Sequence, residues 1–127
     1  MRFNIVIPAR YDSSRLPGKP LLEIGGIPMV IRTAMRAGES GAKSVIIATD
    51  DQRIVTTAEE YGFEALMTDK NHLSGTDRVL EVAKQKEWAN EEIIINVQGD
   101  EPLINPELVR LVAQSILSLI HISEPTR

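Results

Sequence analysis

At 127 residues the chain has the length of one domain, or of a piece of a larger one, and its apolar and charged fractions are those of a globular protein. It has no cysteine, which excludes a disulfide framework, a thiolate metal site and a cysteine nucleophile. A net charge of −4, with no basic face, argues against nucleic-acid binding; no run spans a membrane and no signal-peptide pattern opens the chain, so a cytoplasmic protein is expected.

Phe3–Ile7 is apolar and rich in β-branched residues, which predicts a strand buried on both faces. It leads into a loop that gathers Arg10, Arg15 and Lys19. Clustered like charges do not stabilise a loop, so it is either a solvated basic turn or a seat for an anion, most simply a polyphosphate. Gly18 lets a ligand approach the backbone, and Pro8, Pro17 and Pro20 stiffen the segment. It is not a P-loop, because Ser13 stands where the first glycine belongs and Pro20 follows Lys19; no G-x-G-x-x-G follows the strand either.

Leu21–Ile24 reads as a short extended piece closed by a turn at Gly25-Gly26, and Pro28 as the first residue of a helix. Val30, Ile31, Ala34, Met35 and Ala37 recur at helical spacing up to Gly38. Ser44–Ala48 predicts the second buried strand, with Thr49-Asp50-Asp51 capping a helix to Tyr61. Phe63–Met67 is a weaker third strand, followed by the polar loop Thr68–Leu73. Ser74-Gly75-Thr76-Asp77-Arg78 opens a helix to about Glu87, and Ile93–Val97 is the fourth strand. After the Gln98–Leu103 loop, Asn105 caps a last helix with Leu108, Val109, Val112 and Ile116 on one face. The alternation of strands and helices implies a three-layer α/β/α fold with a mainly parallel, Rossmann-like sheet. Ligands in such folds bind beyond the carboxyl ends of the strands, where these loops converge.

Two loops carry chemistry. Asp100 and Glu101 follow a buried strand and a glycine, which fits an acidic turn or a Mg²⁺ site. Mg²⁺ is usually held by one or two carboxylates plus substrate phosphates. Cations together with such a carboxylate suit a triphosphate attacked at phosphorus, where charge builds on the oxygens. Ser74–Arg78 reads either as a helix cap or as a glycine admitting a nucleobase or ribose, with Arg78 near phosphate or substrate. His72 reads as a loop histidine and Trp88 as a packing residue.

Taken in order, Pro8-Ala9-Arg10-Tyr11, Ser14-Arg15-Leu16-Pro17-Gly18-Lys19-Pro20-Leu21, Ala48-Thr49-Asp50, Ser74-Gly75-Thr76-Asp77-Arg78 and Asn96-Val97-Gln98-Gly99-Asp100-Glu101-Pro102 resemble the CMP-KDO synthetases. These cytidylyltransferases activate 3-deoxy-manno-octulosonate (KDO) for lipopolysaccharide. The resemblance runs through Met1–Ile116 and implies the nucleotide-diphospho-sugar transferase type of fold. It implies attack of the KDO anomeric hydroxyl on the α-phosphorus of CTP, loss of pyrophosphate, a Mg²⁺ cofactor and a homodimeric parent. On the same ground Arg10, Arg15 and Lys19 hold the triphosphate, and Asp100 holds Mg²⁺. Pro8 and Ala9, with Gln98 and the Gly75–Thr76 turn, frame cytosine and ribose, and Arg78 lies at the nucleotide or sugar site. Arg10, Lys19 and Asp100 form the catalytic group. Sialic acid cytidylyltransferases share part of the first motif. The alternatives are therefore an enzyme for sialic acid or 8-amino-KDO, or a CTP-binding module without turnover.

Members of that family are considerably longer, and their later half supplies much of the sugar pocket, a dimerisation subdomain and a second Mg²⁺-binding aspartate. Residues 1–116 are thus expected to be the N-terminal part of such a domain, inactive alone. Leu117–Arg127 departs from the family and resembles the in-frame translation of a transposase sequencing adapter, so a non-native tail is expected there.

Overall fold

A computed structural model describes residues 2–12 and 16–123, with side chains through 117. The central sheet has the order β5-β4-β1-β6 and is parallel throughout. Its strands are β1 (Asn4–Pro8), β4 (Ser44–Thr49), β5 (Glu64–Met67) and β6 (Ile94–Asn96). A separate two-stranded hairpin pairs β2 (Glu23–Ile24) with β3 (Ile27–Pro28). The helices are α1 (Met29–Gly38), α2 (Gln52–Glu60), α3 (Gly75–Gln85) and α4 (Pro106–Ser123).

β1 is central and buried at every position: Ile5–Ile7 is the apolar run expected of such a strand, and the buried Asn4 is bonded to Glu92 and Ser44. Its side chains alternate between two cores. Ile5 and Ile7 join Ile47, Val30, Ile31, Ile54, Ala58, Val109 and Ala113, which puts α1, α2 and α4 on one face. Val6 joins Ile46, Ala48, Val79 and Val82, which puts α3 on the other, with Trp88 packed at its margin. The expected three-layer α/β/α architecture is the observed one. The carboxyl ends of β1, β4 and β6 therefore open side by side, with α1 behind them and α3 in front.

Three local expectations are corrected. Leu21 closes a 3-10 turn over Lys19–Leu21, and the extended piece that follows is half of a hairpin. Pro28 is not the first helical residue: it pairs with Glu23 and caps α1 with an extended ψ of 144°. Gly25 and Gly26 both have positive φ, at 60° and 84°, which is the backbone of a tight two-residue hairpin turn. The apolar face of α4 is also rotated from the expected one. Val109 and Ala113 are buried and Ile116 packs against the same core, whereas Leu108, Leu111 and Val112 are exposed. The helix docks through its narrower face on α1, leaving a row of leucines outside. α4 continues beyond Leu117, so the start of the suspected tail is helical backbone.

Candidate active site

β1 delivers its last residues to the sheet edge. The Ala9 N–H donates to Ala48 O at 2.9 Å, and Arg10 then projects, exposed, from the end of the strand. The basic loop is pinned where it returns: the Gly18 N–H donates to Tyr11 O at 2.7 Å. Gly18 has a φ of 77°, and a Cβ there would lie 3.0 Å from the Tyr11 ring, so both backbone and space call for glycine. The Arg53 guanidinium lies 3.6 Å from the Tyr11 ring centroid, a cation–π contact. Asp51 holds Arg53 through bonds of 3.0 and 2.8 Å, and these hydrogen bonds keep the Asp51 carboxyl below the ordinary aspartate range. Lys19 opens the 3-10 turn that follows, its Nζ 3.6 Å from Asp100 Oδ2.

Asp100 comes from the loop after β6. That loop is pressed onto β1: the Gly99 N–H donates to Pro8 O at 3.2 Å. A Cβ at Gly99 would meet both Pro8 O and Ala9 Cβ at 3.1 Å, so a side chain would push the loop away. Gln98 donates from Nε2 to Asn96 Oδ1 at 3.1 Å, and the Cα of Gly75 approaches so closely that a Cβ would lie 3.1 Å from that Nε2.

α3 supplies the facing wall. Ser74 caps it by accepting from the Asp77 N–H at 3.2 Å. One turn on, Arg78 is only 1% exposed. Its Nη1 donates to Thr68 Oγ1 and, at 3.0 Å, to Asp69 O, while Thr68 Oγ1 donates to Thr49 O at 3.0 Å. This relay ties the guanidinium to the end of β4, beside Asp50. Burial pulls the Arg78 pKa below the ordinary arginine value; the Asp50 charge opposes this and the Arg10 charge adds to it. Among the described residues, Arg78 Nη2 and Asp50 Oδ1 are the buried side-chain atoms without a hydrogen-bond partner. We expect Arg78→Met to destabilise the fold by about 1–3 kcal/mol, because it leaves the Asp50 charge uncompensated. Asp50→Asn in the same background should recover part of that loss in thermal unfolding; strictly additive effects would show that the two charges are uncoupled.

The three walls enclose a cleft of about 260 Å³. Of the residues singled out from sequence, Pro8, Ala9, Arg10, Lys19, Gly75, Arg78, Gln98 and Asp100 line it. Thr76 is exposed on the first turn of α3 and does not line the cleft. Arg15 lies outside the described residues. His72 lies in the loop before α3, as expected; there it lines the cleft and donates from Nε2 to Glu81 Oε1 at 2.7 Å. Burial works against the Glu81 charge, but hydrogen bonds from the Asp69 N–H, His72 and Gln85 hold its carboxyl below the ordinary glutamate range. Asp50 entered the expected site only through the Ala48-Thr49-Asp50 motif, and Thr68 and Glu81 had no part in it; Thr68 directly follows β5, and Glu81 lies on α3 beside His72.

Three cations, Arg10, Lys19 and Arg78, thus line one cleft with a single carboxylate, Asp100, whose side chain is 57% exposed. Among the described residues no cluster of three His, Asp or Glu side chains could cage a metal by itself. A lone carboxylate at the mouth of a cationic cleft instead suits a Mg²⁺ shared with the phosphates of a ligand.

A sequence model of the family described as cytidylyltransferase matches residues 4–121. The chain belongs to the cytidylyltransferase family. Among solved structures, this cytidylyltransferase is 46% identical to a CMP:2-keto-3-deoxy-manno-octonic acid synthetase complexed with CTP, with a TM-score of 0.83 over 92% of this chain and 47% of that one. It shares the fold of a cytidylyltransferase from Leptospira borgpetersenii serovar Hardjo-bovis at 24% identity, with a TM-score of 0.71 over 92% and 49% of the two chains. A nucleotidyl transferase from Methanothermobacter thermautotroptrophicus also has the fold, at 19% identity and a TM-score of 0.73, over 88% and 56%. The chain spans about half the length of the solved relatives it matches.

Proposed function

We propose that this chain is the nucleotide-binding part of a CMP-KDO synthetase. The whole enzyme, a cytoplasmic homodimer on this reading, transfers CMP from CTP to the anomeric hydroxyl of KDO for lipopolysaccharide synthesis. The observation that carries the proposal is the convergence of Arg10, Lys19 and Arg78 on a cleft that Asp100 also lines, 3.6 Å from Lys19. Identity of 46% to a synthetase of that kind, complexed with CTP, supports the choice of nucleotide and acceptor.

In this reading Arg10, Arg15 and Lys19 bind the triphosphate and offset the charge that grows on its oxygens as the α-phosphorus is attacked. The acceptor oxygen forms a bond to that phosphorus, its proton leaves, and the bond to pyrophosphate breaks. Pro8 and Ala9 present backbone to the nucleoside, and Gln98 and Gly75, with Thr76 at its edge, shape the pocket for base and ribose. Arg78, fixed in the wall, presents positive charge to the nucleotide or the sugar. Asp100 would hold Mg²⁺, which when bound neutralises phosphate charge and polarises the phosphoryl group. Residues 117–127 remain, in our reading, a non-native tail on a domain part of 1–116, although the family match extends to residue 121. Resequencing the coding DNA in an independent clone decides that point.

The first test is calorimetric titration of the chain with CTP, UTP and ATP, with and without Mg²⁺. CTP should bind at least about tenfold more tightly than ATP, as a pocket with fixed polar groups discriminates. Equal affinity for all three nucleotides would overturn the assignment of a cytidine site.

A further inference from the structure

The buried face of α1 is apolar except at one position. Val30, Ile31, Ala34 and Ala37 enter the core, and Thr33 lies among them with 0% exposure. A hydroxyl in that setting is unfavourable unless it is bonded, and threonine is a poor helix interior residue. Thr33 Oγ1 lies 3.2 Å from Met29 O, the usual bond back along the helix, and 2.9 Å from Gly99 O on the loop after β6. Its one proton goes to the nearer, buried acceptor, in a residue adjacent to Asp100.

The neighbouring side chains of α1 act on the same surroundings. Arg32 donates to Ile24 O at 2.7 Å and Gly25 O at 3.1 Å, and the Met29 N–H donates to Leu22 O at 2.8 Å. These bonds hold the hairpin that follows the Lys19 turn. Arg36 donates to Ile104 O at 3.1 Å, at the far end of the Asp100 loop. One rigid helix therefore carries both loops whose charges meet at 3.6 Å.

We propose that Thr33 is a positioning residue: by holding the Gly99 carbonyl to α1, it places Asp100 where a divalent cation can be shared with a bound triphosphate. The metal part rests on the function proposed above; the anchoring part rests on geometry alone. Thr33 touches neither substrate nor metal and acts through Gly99.

Both parts are tested on the 127-residue chain with Thr33→Val, which keeps the shape and removes the hydroxyl, Thr33→Ser, which returns it, and Asp100→Asn. Without ligand, amide exchange at Gly99, Asp100 and Glu101 should accelerate by about three- to tenfold in Thr33→Val, the range of one net hydrogen bond, and return in Thr33→Ser. Unchanged exchange at those amides overturns the anchoring. With saturating CTP and Mn²⁺ as probe, free Mn²⁺ followed by electron paramagnetic resonance should show binding weakened by about three- to tenfold in Thr33→Val, with recovery in Thr33→Ser. A loss of Mn²⁺ affinity in Asp100→Asn but not in Thr33→Val overturns the positioning role and leaves the metal assignment standing. No loss in Asp100→Asn overturns the metal assignment, and the positioning role with it. Should Thr33→Val fail to fold, exchange and Mn²⁺ binding are read in Thr33→Ala, where the same outcomes decide.

Discussion

Supplied with CTP, KDO and Mg²⁺, the 127-residue chain is expected to release pyrophosphate at least about 10⁴-fold more slowly than the same residues joined to the C-terminal half of a full-length relative. Holding two reactants in attack geometry is worth an effective concentration of roughly 10⁵–10⁸ M, and a displacement of about 1 Å already loses much of it. On the function proposed above, the cleft grips a triphosphate from one side. Asp100 and Lys19, which line it, are both partly exposed, and the later half of the family's domain, expected to supply much of the sugar pocket, lies outside these 127 residues. Among the described residues β6 is an edge strand of the sheet, and Leu108, Leu111 and Val112 are exposed on α4. That surface suits the packing of further chain and favours self-association when nothing covers it. The measurement is a coupled pyrophosphate assay on the chain alone and on the joined protein, with KDO, 8-amino-KDO and sialic acid offered in competition. Turnover by the chain alone at the rate of the joined protein would mean that the site is complete as it stands. Preference of the joined protein for sialic acid would move the acceptor to the other branch of the family.

The sheet was legible because β1, β4 and β6 each carry consecutive β-branched apolar residues, Ile5–Ile7, Val45–Ile47 and Ile94-Ile95, as strands covered on both faces do. The convergence of Arg10, Lys19, Gln98 and Asp100 followed from the rule that loops at the carboxyl ends of such strands meet. What escaped was set by contacts across long sequence separations. The hairpin of β2 and β3 is two residues a side, too short for periodicity to show, and the rotation of α4 depends on which of its apolar residues meets α1. Thr33 is instructive: helical spacing places it on the buried face, and its polarity there was a visible conflict, but its partner lies 66 residues away. Arg78 was visible as a cation near the site; its burial and its tie to β4 through Thr68 depend on folding.

Asp100→Asn should change nucleotide binding in opposite directions with and without Mg²⁺, and in the joined protein it should lower kcat/KM for CTP by about 10²–10³, the loss usual for one electrostatic catalytic group. The reversal follows from charge. Without metal, the Asp100 carboxylate repels the triphosphate and competes with it for Lys19, from which it is 3.6 Å away. Removing one such charge near the surface is worth about 1 kcal/mol at about 4 Å in water, so CTP should bind roughly fivefold more tightly to Asp100→Asn in EDTA. With Mg²⁺ the same carboxylate becomes a ligand, and its loss should weaken CTP binding instead. Stability should move little, because an ion pair whose side chains are 35% and 57% exposed contributes on the order of 0–1 kcal/mol. Lys19→Met should weaken CTP in both conditions, and in combination with Asp100→Asn the effects should not add, since the two groups share a partner. Titrations of CTP into the four proteins, each with Mg²⁺ and with EDTA, read all of this at once. If Asp100→Asn weakens CTP equally in both conditions, the carboxylate shapes the loop without holding a metal.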